Sequence, residues 1–190
     1  MISRILEEIF PFYSYLSNKN KLIVSASSPA LGEQKDVCKR YLDLGKDFLL
    51  ERITEEHQRA IKIDDKTIKF TLALSLSLSI LGSTSALLAN QLTVDVLHFL
   101  VVGLSGICVL YTLIAGLLAL GAIQTLPTYG YGTEFLIASK NNLNLIAEAL
   151  LSQEKINIVR QIRNEASYQC LRNGLLMLLI AILIFFIAKI

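Results

Sequence analysis

The sequence predicts an all-α membrane protein with three transmembrane helices and a cytoplasmic helical stalk built from long continuous helices. Residues 70–89, FTLALSLSLSILGSTSALLA, are twenty positions without a charge. At a rise of ~1.5 Å per residue they cover the ~30 Å hydrocarbon core of a bilayer. Two further apolar runs, 96–123 and 174–188, carry His98 as the sole side chain that ordinarily titrates near neutral pH. Charged stretches with helical spacing of apolar residues lead into the first and the last of these runs. The composition agrees, because 53% hydrophobic with 18% charged is too apolar for an ordinary soluble domain.

Residues 1–36 read as an N-terminal amphipathic segment and loop. Ile2, Ile5, Leu6 and Ile9 share one helical face as far as Pro11. Phe10, Phe12, Tyr13 and Tyr15 suit the depth of a membrane interface, and a short helix packed on a cytoplasmic bundle fits the same residues. Ser17–Asp36, with its Asn, Ser, Pro and Gly, reads as a loop with a short extended piece at Leu22–Val24. A cytoplasmic helix occupies 37–69. Val37, Tyr41, Leu44 and Phe48 are spaced by four and three, and Ile53, His57 and Ala60 follow. With no proline between Val37 and Ala89, one helix of ~50 residues, roughly 75 Å long, is expected to begin near Glu33 and enter the membrane at Phe70.

Residues 70–124 form a two-helix transmembrane hairpin, turning at Asn90–Asp95. Val96–Ile123 is longer than a bilayer needs, which predicts tilt or protrusion. Its Gly103, Ser105, Gly106, Ala115, Gly116 and Ala119 allow close helix approach. Residues 125–172 comprise an interfacial loop, TLPTYGYGT, and a second amphipathic helix from about Glu134. Leu143, Ile146, Leu150, Ile156, Val159, Ile162 and Ala166 carry its apolar spacing. It runs unbroken into the third transmembrane helix, 173–190, where Lys189 can snorkel to the far interface.

Basic residues orient the chain. Twelve of eighteen precede Phe70, five lie in Gln124–Arg172, the first turn has none, and Lys189 stands near the end. The excess of Lys and Arg on the cytoplasmic side of membranes predicts a multi-pass membrane protein, N-terminus cytoplasmic and C-terminus outside. Cys38, Cys108 and Cys170 have neither a disulfide pattern nor metal-ligand spacing. Met1–Leu16, interrupted by Glu7, Glu8 and Pro11, lacks the form of a secretory signal. No metal, cofactor or catalytic residue is expected, nor direct binding of nucleic acid.

Four features carry candidate chemistry. Thr71, Ser75, Ser79 and Ser83 recur every four residues and put hydroxyls on a membrane helix. They either pack helices tightly within one chain or, in a symmetric ring of copies, line a path for water. Arg59, Lys62, Lys66 and Lys69 abut the first span as an interfacial anchor for anionic headgroups. Lys155, Arg160, Arg163 and Arg172 offer contact to a nucleotide signal or a partner protein, or form ion pairs with the neighbouring long helix. His98 at the outer interface is structural.

Two short motifs suggest alternatives. Arg52-Ile-Thr-Glu-Glu-His57 is similar to the R-x4-H spacing of HEPN ribonucleases, which implies an arginine and a histidine from paired helices meeting at a phosphodiester; a solvated helical face explains the same residues. Thr128-Tyr-Gly-Tyr-Gly132 resembles the potassium-channel filter signature, which implies carbonyls of Thr128, Gly130, Tyr131 and Gly132 replacing an ion's water shell. Its position after a complete span, with some forty residues before the next, fits a Gly-Tyr turn at the interface instead.

Within residues 56–70, EHQRAIKIDDKTIKF, Ile63, Asp64, Asp65 and Lys66 stand just before the first span. A charged helix, Lys155–Arg172, leads straight into the last one. This organisation, over most of residues 45–188, resembles small bacterial membrane effectors of the SLATT and Pycsar-type transmembrane groups. The resemblance implies a homo-oligomeric effector of abortive infection in the bacterial inner membrane that breaks the membrane's permeability barrier when signalled. Its trigger would come from a partner protein or from a CRISPR, retron or cyclic-nucleotide system.

Overall fold

The computed structural model describes residues 8–27, 34–91, 96–123 and 127–189. Among them there is no strand. The helices are α1 (Pro11–Ser27), α2 (Gln34–Leu42), α3 (Lys46–Gln91), α4 (Val96–Ile123), α5 (Thr133–Ser139) and α6 (Leu143–Lys189). Three of these, α3, α4 and α6, are long and apolar enough to cross a membrane. The chain divides into two compact units: unit 1 comprises Met1–Tyr15, Thr67–Ile123 and Arg163–Ile190, and unit 2 comprises Leu16–Lys66 and Gln124–Ile162.

Local expectations are corrected at four points. The stretch read as a loop after Ser17 is helical as far as Ser27, Leu22–Val24 included. Pro11 opens α1, where its fixed φ and missing N–H cost nothing, and Tyr15 and Ala26 are buried at its two ends. The helix expected to run unbroken from near Glu33 is divided at Gly45, whose φ of 85° leaves the helical region. Leu44 N–H closes on the Tyr41 carbonyl, and the Gly45 carbonyl accepts the first bond of α3, from Leu49 N–H at 3.2 Å. The helix expected from Glu134 is likewise two. After α5, the Asn142 side-chain oxygen accepts from Leu145 N–H at 3.2 Å and caps α6, while Lys46 Nζ donates to the Lys140 carbonyl at 2.6 Å. From Leu143 the helix is unbroken to Lys189, as the sequence predicts. The predicted bounds of α4 also stand, whereas Asn90 and Gln91 belong to α3. Residues 1–7 and 92–95, with the apolar face of Ile2, Ile5 and Leu6 and most of the first turn, lie outside the described residues.

The division at Gly45 resets the buried face. Along α3, Leu49, Ile53, Glu56, Ile63, Thr67, Phe70, Leu74 and Leu81 are buried, at steps of four, three and seven. That is the spacing of a coiled-coil seam. Leu44 and Phe48, expected to be inward, are exposed.

In unit 2, Leu49 and Ile53 of α3 meet Ile146, Ala147, Ala149 and Leu150 of α6, with Cys38 and Tyr41 of α2 and Phe135 of α5 around them. In unit 1, α4 buries Val101, Ser105, Cys108, Thr112, Ala115, Ala119 and Ala122, a run of alternating four- and three-residue steps made mostly of small side chains. Such a seam lets backbones approach. Gly174 of α6 sits against it: a Cβ there would lie 3.2 Å from the Cys108 carbonyl oxygen and 3.3 Å from Thr112 Oγ1. Ser167 Oγ donates to the Ala115 carbonyl at 2.6 Å, and Arg163 donates to the Gly121 carbonyl. Rising numbers on α6 meet falling numbers on α4, so the two are antiparallel. Val101, Ala181 and Phe185 close the far end. Of the small residues expected at this contact, Ser105, Ala115 and Ala119 are buried, whereas Gly103 and Gly106 are exposed.

The same register sets which part of α6 each half of α4 meets. Residues 111–123 lie beside the charged part of α6, from Arg163 to Arg172, and residues 96–110 beside its apolar part.

Candidate functional site: a polar seam and a hydroxyl stripe

In unit 2, α3 and α6 are held by a buried polar network that begins at Glu56, which is only 4% exposed. Asn157 Nδ2, fully buried, donates to both the Glu56 carbonyl and its carboxylate, each at 2.8 Å. Arg59 Nη1 and Arg52 Nη2 reach the same carboxylate at 3.2 and 3.8 Å. Gln153 passes the network on: its Nε2 donates to Asn157 Oδ1 at 3.2 Å and its Oε1 accepts from Tyr129 N–H at 2.9 Å. A buried carboxylate with this many donors satisfies the rule that charge leaves water only when paired and hydrogen-bonded.

The candidate residues of this unit are tied into that network. Arg52 is ringed by carboxylates, with Glu55 in contact, Glu56 at 3.8 Å and Glu154 at 3.6 Å. His57 Nε2 lies 2.9 Å from the Tyr129 carbonyl. A carbonyl only accepts, so this nitrogen carries the proton. Tyr131 packs edge-on against the His57 ring, centroids 5.7 Å apart. The arginine and histidine therefore point to different partners. In the Thr128–Gly132 loop, the Tyr129 main chain is used in both directions. Gly130 and Gly132 hold φ of 72° and 96°, and a Cβ on Gly130 would collide with the Ile53 side chain. Thr128, Tyr131, His57, Asp64 and Arg160 line a cavity of about 290 Å³. The loop is thus a docked turn. Gln124 and Thr125 lie outside the described residues.

The two basic groups also separate. Arg59 bonds Glu56 and, through Nη2, Gln161 Oε1 at 2.7 Å, whereas Lys62, Lys66 and Lys69 are exposed. Arg160 pairs with Asp64 at 3.4 Å. Lys155 is half-buried, and that burial holds its ammonium below the usual lysine range. In unit 1, Arg163 lies 5.2 Å above the Tyr15 ring and bonds Gly121. Arg172, 53% exposed, is the one of the four that faces outward. Glu56, Gln153 and Asn157 were not singled out by the sequence, although Gln153, Asn157 and Gln161 form a four-residue row that signals a polar stripe on α6.

The hydroxyl stripe belongs to unit 1. Thr71 is half-buried and Ser75, Ser79 and Ser83 are exposed, while the buried side of α3 there is Thr67, Phe70, Leu74 and Leu81. Thr67 accepts from Asn164 at 2.7 Å, and Phe70 stacks on Tyr168 with centroids 4.1 Å apart. The stripe therefore stands off the contacts among described helices. Each hydroxyl donates to the carbonyl four residues back: Thr71 to Thr67 at 2.8 Å, Ser75 to Thr71 at 3.0 Å, Ser79 to Ser75 at 3.2 Å and Ser83 to Ser79 at 2.8 Å. This keeps the hydroxyl protons satisfied in an apolar medium. Among the described residues no cluster of His, Cys, Asp and Glu has the make-up of a metal site.

The described residues thus define an all-helical protein with three helices of membrane-crossing length. Comparison with protein-family models, curated proteins and solved structures gave no match.

Proposed function

We propose that the protein is an oligomeric, non-enzymatic effector of the bacterial inner membrane that permeabilises or depolarises that membrane in antiviral, abortive-infection defence. A partner protein or nucleotide signal would trigger it. The observation that carries this reading is the outward placement of Ser75, Ser79 and Ser83, hydroxyls on a membrane-length helix that no described neighbour covers. Copies gathered around an axis would turn those hydroxyls towards one another or towards water. The resemblance in organisation to SLATT and Pycsar-type effectors supports the defence role, and the distribution of Lys and Arg supports a cytoplasmic N-terminus.

Liposome leakage tests it. Protein reconstituted in vesicles releases a trapped dye, and replacing Thr71, Ser75, Ser79 and Ser83 together by Leu abolishes release while assembly persists. Unchanged flux from an assembled quadruple variant would remove the lining role. The ribonuclease alternative has less support, since Arg52 is engaged by three carboxylates and His57 by a carbonyl. Likewise the filter alternative must contend with a loop tied to α3 and α6 through the Tyr129 main chain, which bonds His57 and Gln153.

A further inference from the structure

We propose that Arg172 is the phosphate-binding residue of a site for one anionic phospholipid on the surface of α6. The proposal rests on the bilayer reading of the three apolar helices, and not on permeabilisation. Arg172 is the last charge before the sixteen uncharged residues 173–188, so it stands where the headgroup region meets the hydrocarbon.

Two concavities meet at this side chain. One, about 390 Å³, is walled by Tyr168, Leu171, Leu175, Leu176 and Leu179. The other, about 400 Å³, has Glu8, Ile9, Tyr111, Asn173 and Met177 in its wall and shares Leu176 and Arg172 with the first. A single exposed cation thus caps a groove whose leucines continue along α6 away from the charged half of the helix. An amphiphile with a negative head and an alkyl chain matches it, the head on the guanidinium and the chain along Leu175, Leu176 and Leu179. The planar guanidinium fork suits a phosphate, and basic pockets between membrane helices on the cytoplasmic side take anionic headgroups.

The present partners of Arg172 are replaceable. Glu8 Oε2 lies 3.4 Å from Nη2 with its side chain 74% exposed, and Asn173 Oδ1 lies 3.3 Å from the same nitrogen and 3.4 Å from Nε. Exposed ion pairs of this kind contribute little. Beside them, Tyr111 donates to the Ile9 carbonyl at 2.6 Å and Asn173 to the Glu8 carbonyl at 2.7 Å. These bonds hold the exposed Phe10, Phe12 and Tyr13 at the level of Arg172, as in an interfacial aromatic belt. A lipid, rather than free phosphate, is the expected source, because a free anion gains nothing from the leucine wall.

The test uses full-length protein recovered from carbonate-washed membranes and unfolded thermally in neutral detergent. Added phosphatidylglycerol raises the melting temperature, while phosphatidylcholine and inorganic phosphate do not. Arg172→Gln abolishes the phosphatidylglycerol shift and Arg172→Lys keeps part of it. If Arg172→Gln does not fold, Leu176→Trp, which fills the groove and keeps the charge, gives the same loss. An equal shift with phosphatidylcholine, a shift with inorganic phosphate, or an undiminished shift in Arg172→Gln would overturn the site. So would a lipid-independent change in oligomer mass in Leu175→Gln with Leu179→Gln, which would assign the groove to a second copy. Absence from washed membranes would overturn both the site and the bilayer reading, whereas failure of the lipid effect after recovery would overturn the site alone.

Discussion

Asn157 joins two helices with one amide. Its nitrogen serves both the main chain and the carboxylate of Glu56, and at full burial no water can replace it. Asn157→Ala leaves a buried carboxylate short of a donor and should cost about 1–3 kcal/mol, read as a lowered melting temperature by circular dichroism in detergent. Asn157→Asp should cost more, because it sets a second carboxylate against Glu56. Tyr41 gives a second test. Its hydroxyl donates to Glu154 at 2.7 Å, and burial followed by that bond raises the phenol well above the ordinary tyrosine value of 10.0. Only the protonated phenol donates, so the folded state holds its proton more tightly than the unfolded chain. The stabilisation is complete below pH ~10 and is lost as pH rises beyond it. Tyr41→Phe should cost about 1 kcal/mol near neutrality and reduce the alkaline decline measured by a pH series of melts.

At the scale of the helix, Gly174 and Gly130 make contrasting tests. Gly174→Leu inserts a side chain where a Cβ alone already lies 3.2 Å from the Cys108 carbonyl oxygen. Overpacking should cost about 1–3 kcal/mol and separate α4 from α6, checked by cross-linking cysteines placed across the seam. Gly82→Leu, with nothing within 4 Å, should leave the monomer's stability unchanged. In the loop, Gly130→Ala meets both a positive φ and the Ile53 side chain, whereas Gly132→Ala meets the φ alone, so the first should lower the melting temperature more.

Elements differ in how far their sequence announces them. The bounds of α4 were legible because an apolar run between polar turns leaves no other solution. Gly45 was not, since a single glycine in a helical pattern is tolerated as often as it divides one; once it divides, every inward position after it changes. The polar residues of α1, from Ser17 to Asn20, argue for a loop by propensity, and burial of Tyr15 and Ala26 overrides them. Of the site, the hydroxyl stripe could be read because its period is four. The network around Glu56 could not, because its members come from α3, α6 and the Tyr129 loop and look like ordinary helical surface in each.

For the whole molecule, the expected topology is directly measurable. A cysteine placed at Tyr131 should react with an impermeant maleimide only from the cytoplasmic side, and one at Gln91 only from outside. Labelling of both from one side would exclude the proposed arrangement and the effector function with it.

The hydroxyls of α3 also constrain the geometry of any assembly. Residues four apart rotate by about 40° at each step around a helix of 3.6 residues per turn, so from Thr71 to Ser83 the row winds through roughly a third of a circumference. Helices that nest along such rows cross at about −40 to −50° instead of lying side by side. Copies meeting through these residues would touch at one height and splay above and below it, enclosing an hourglass whose waist, and not its length, decides what passes.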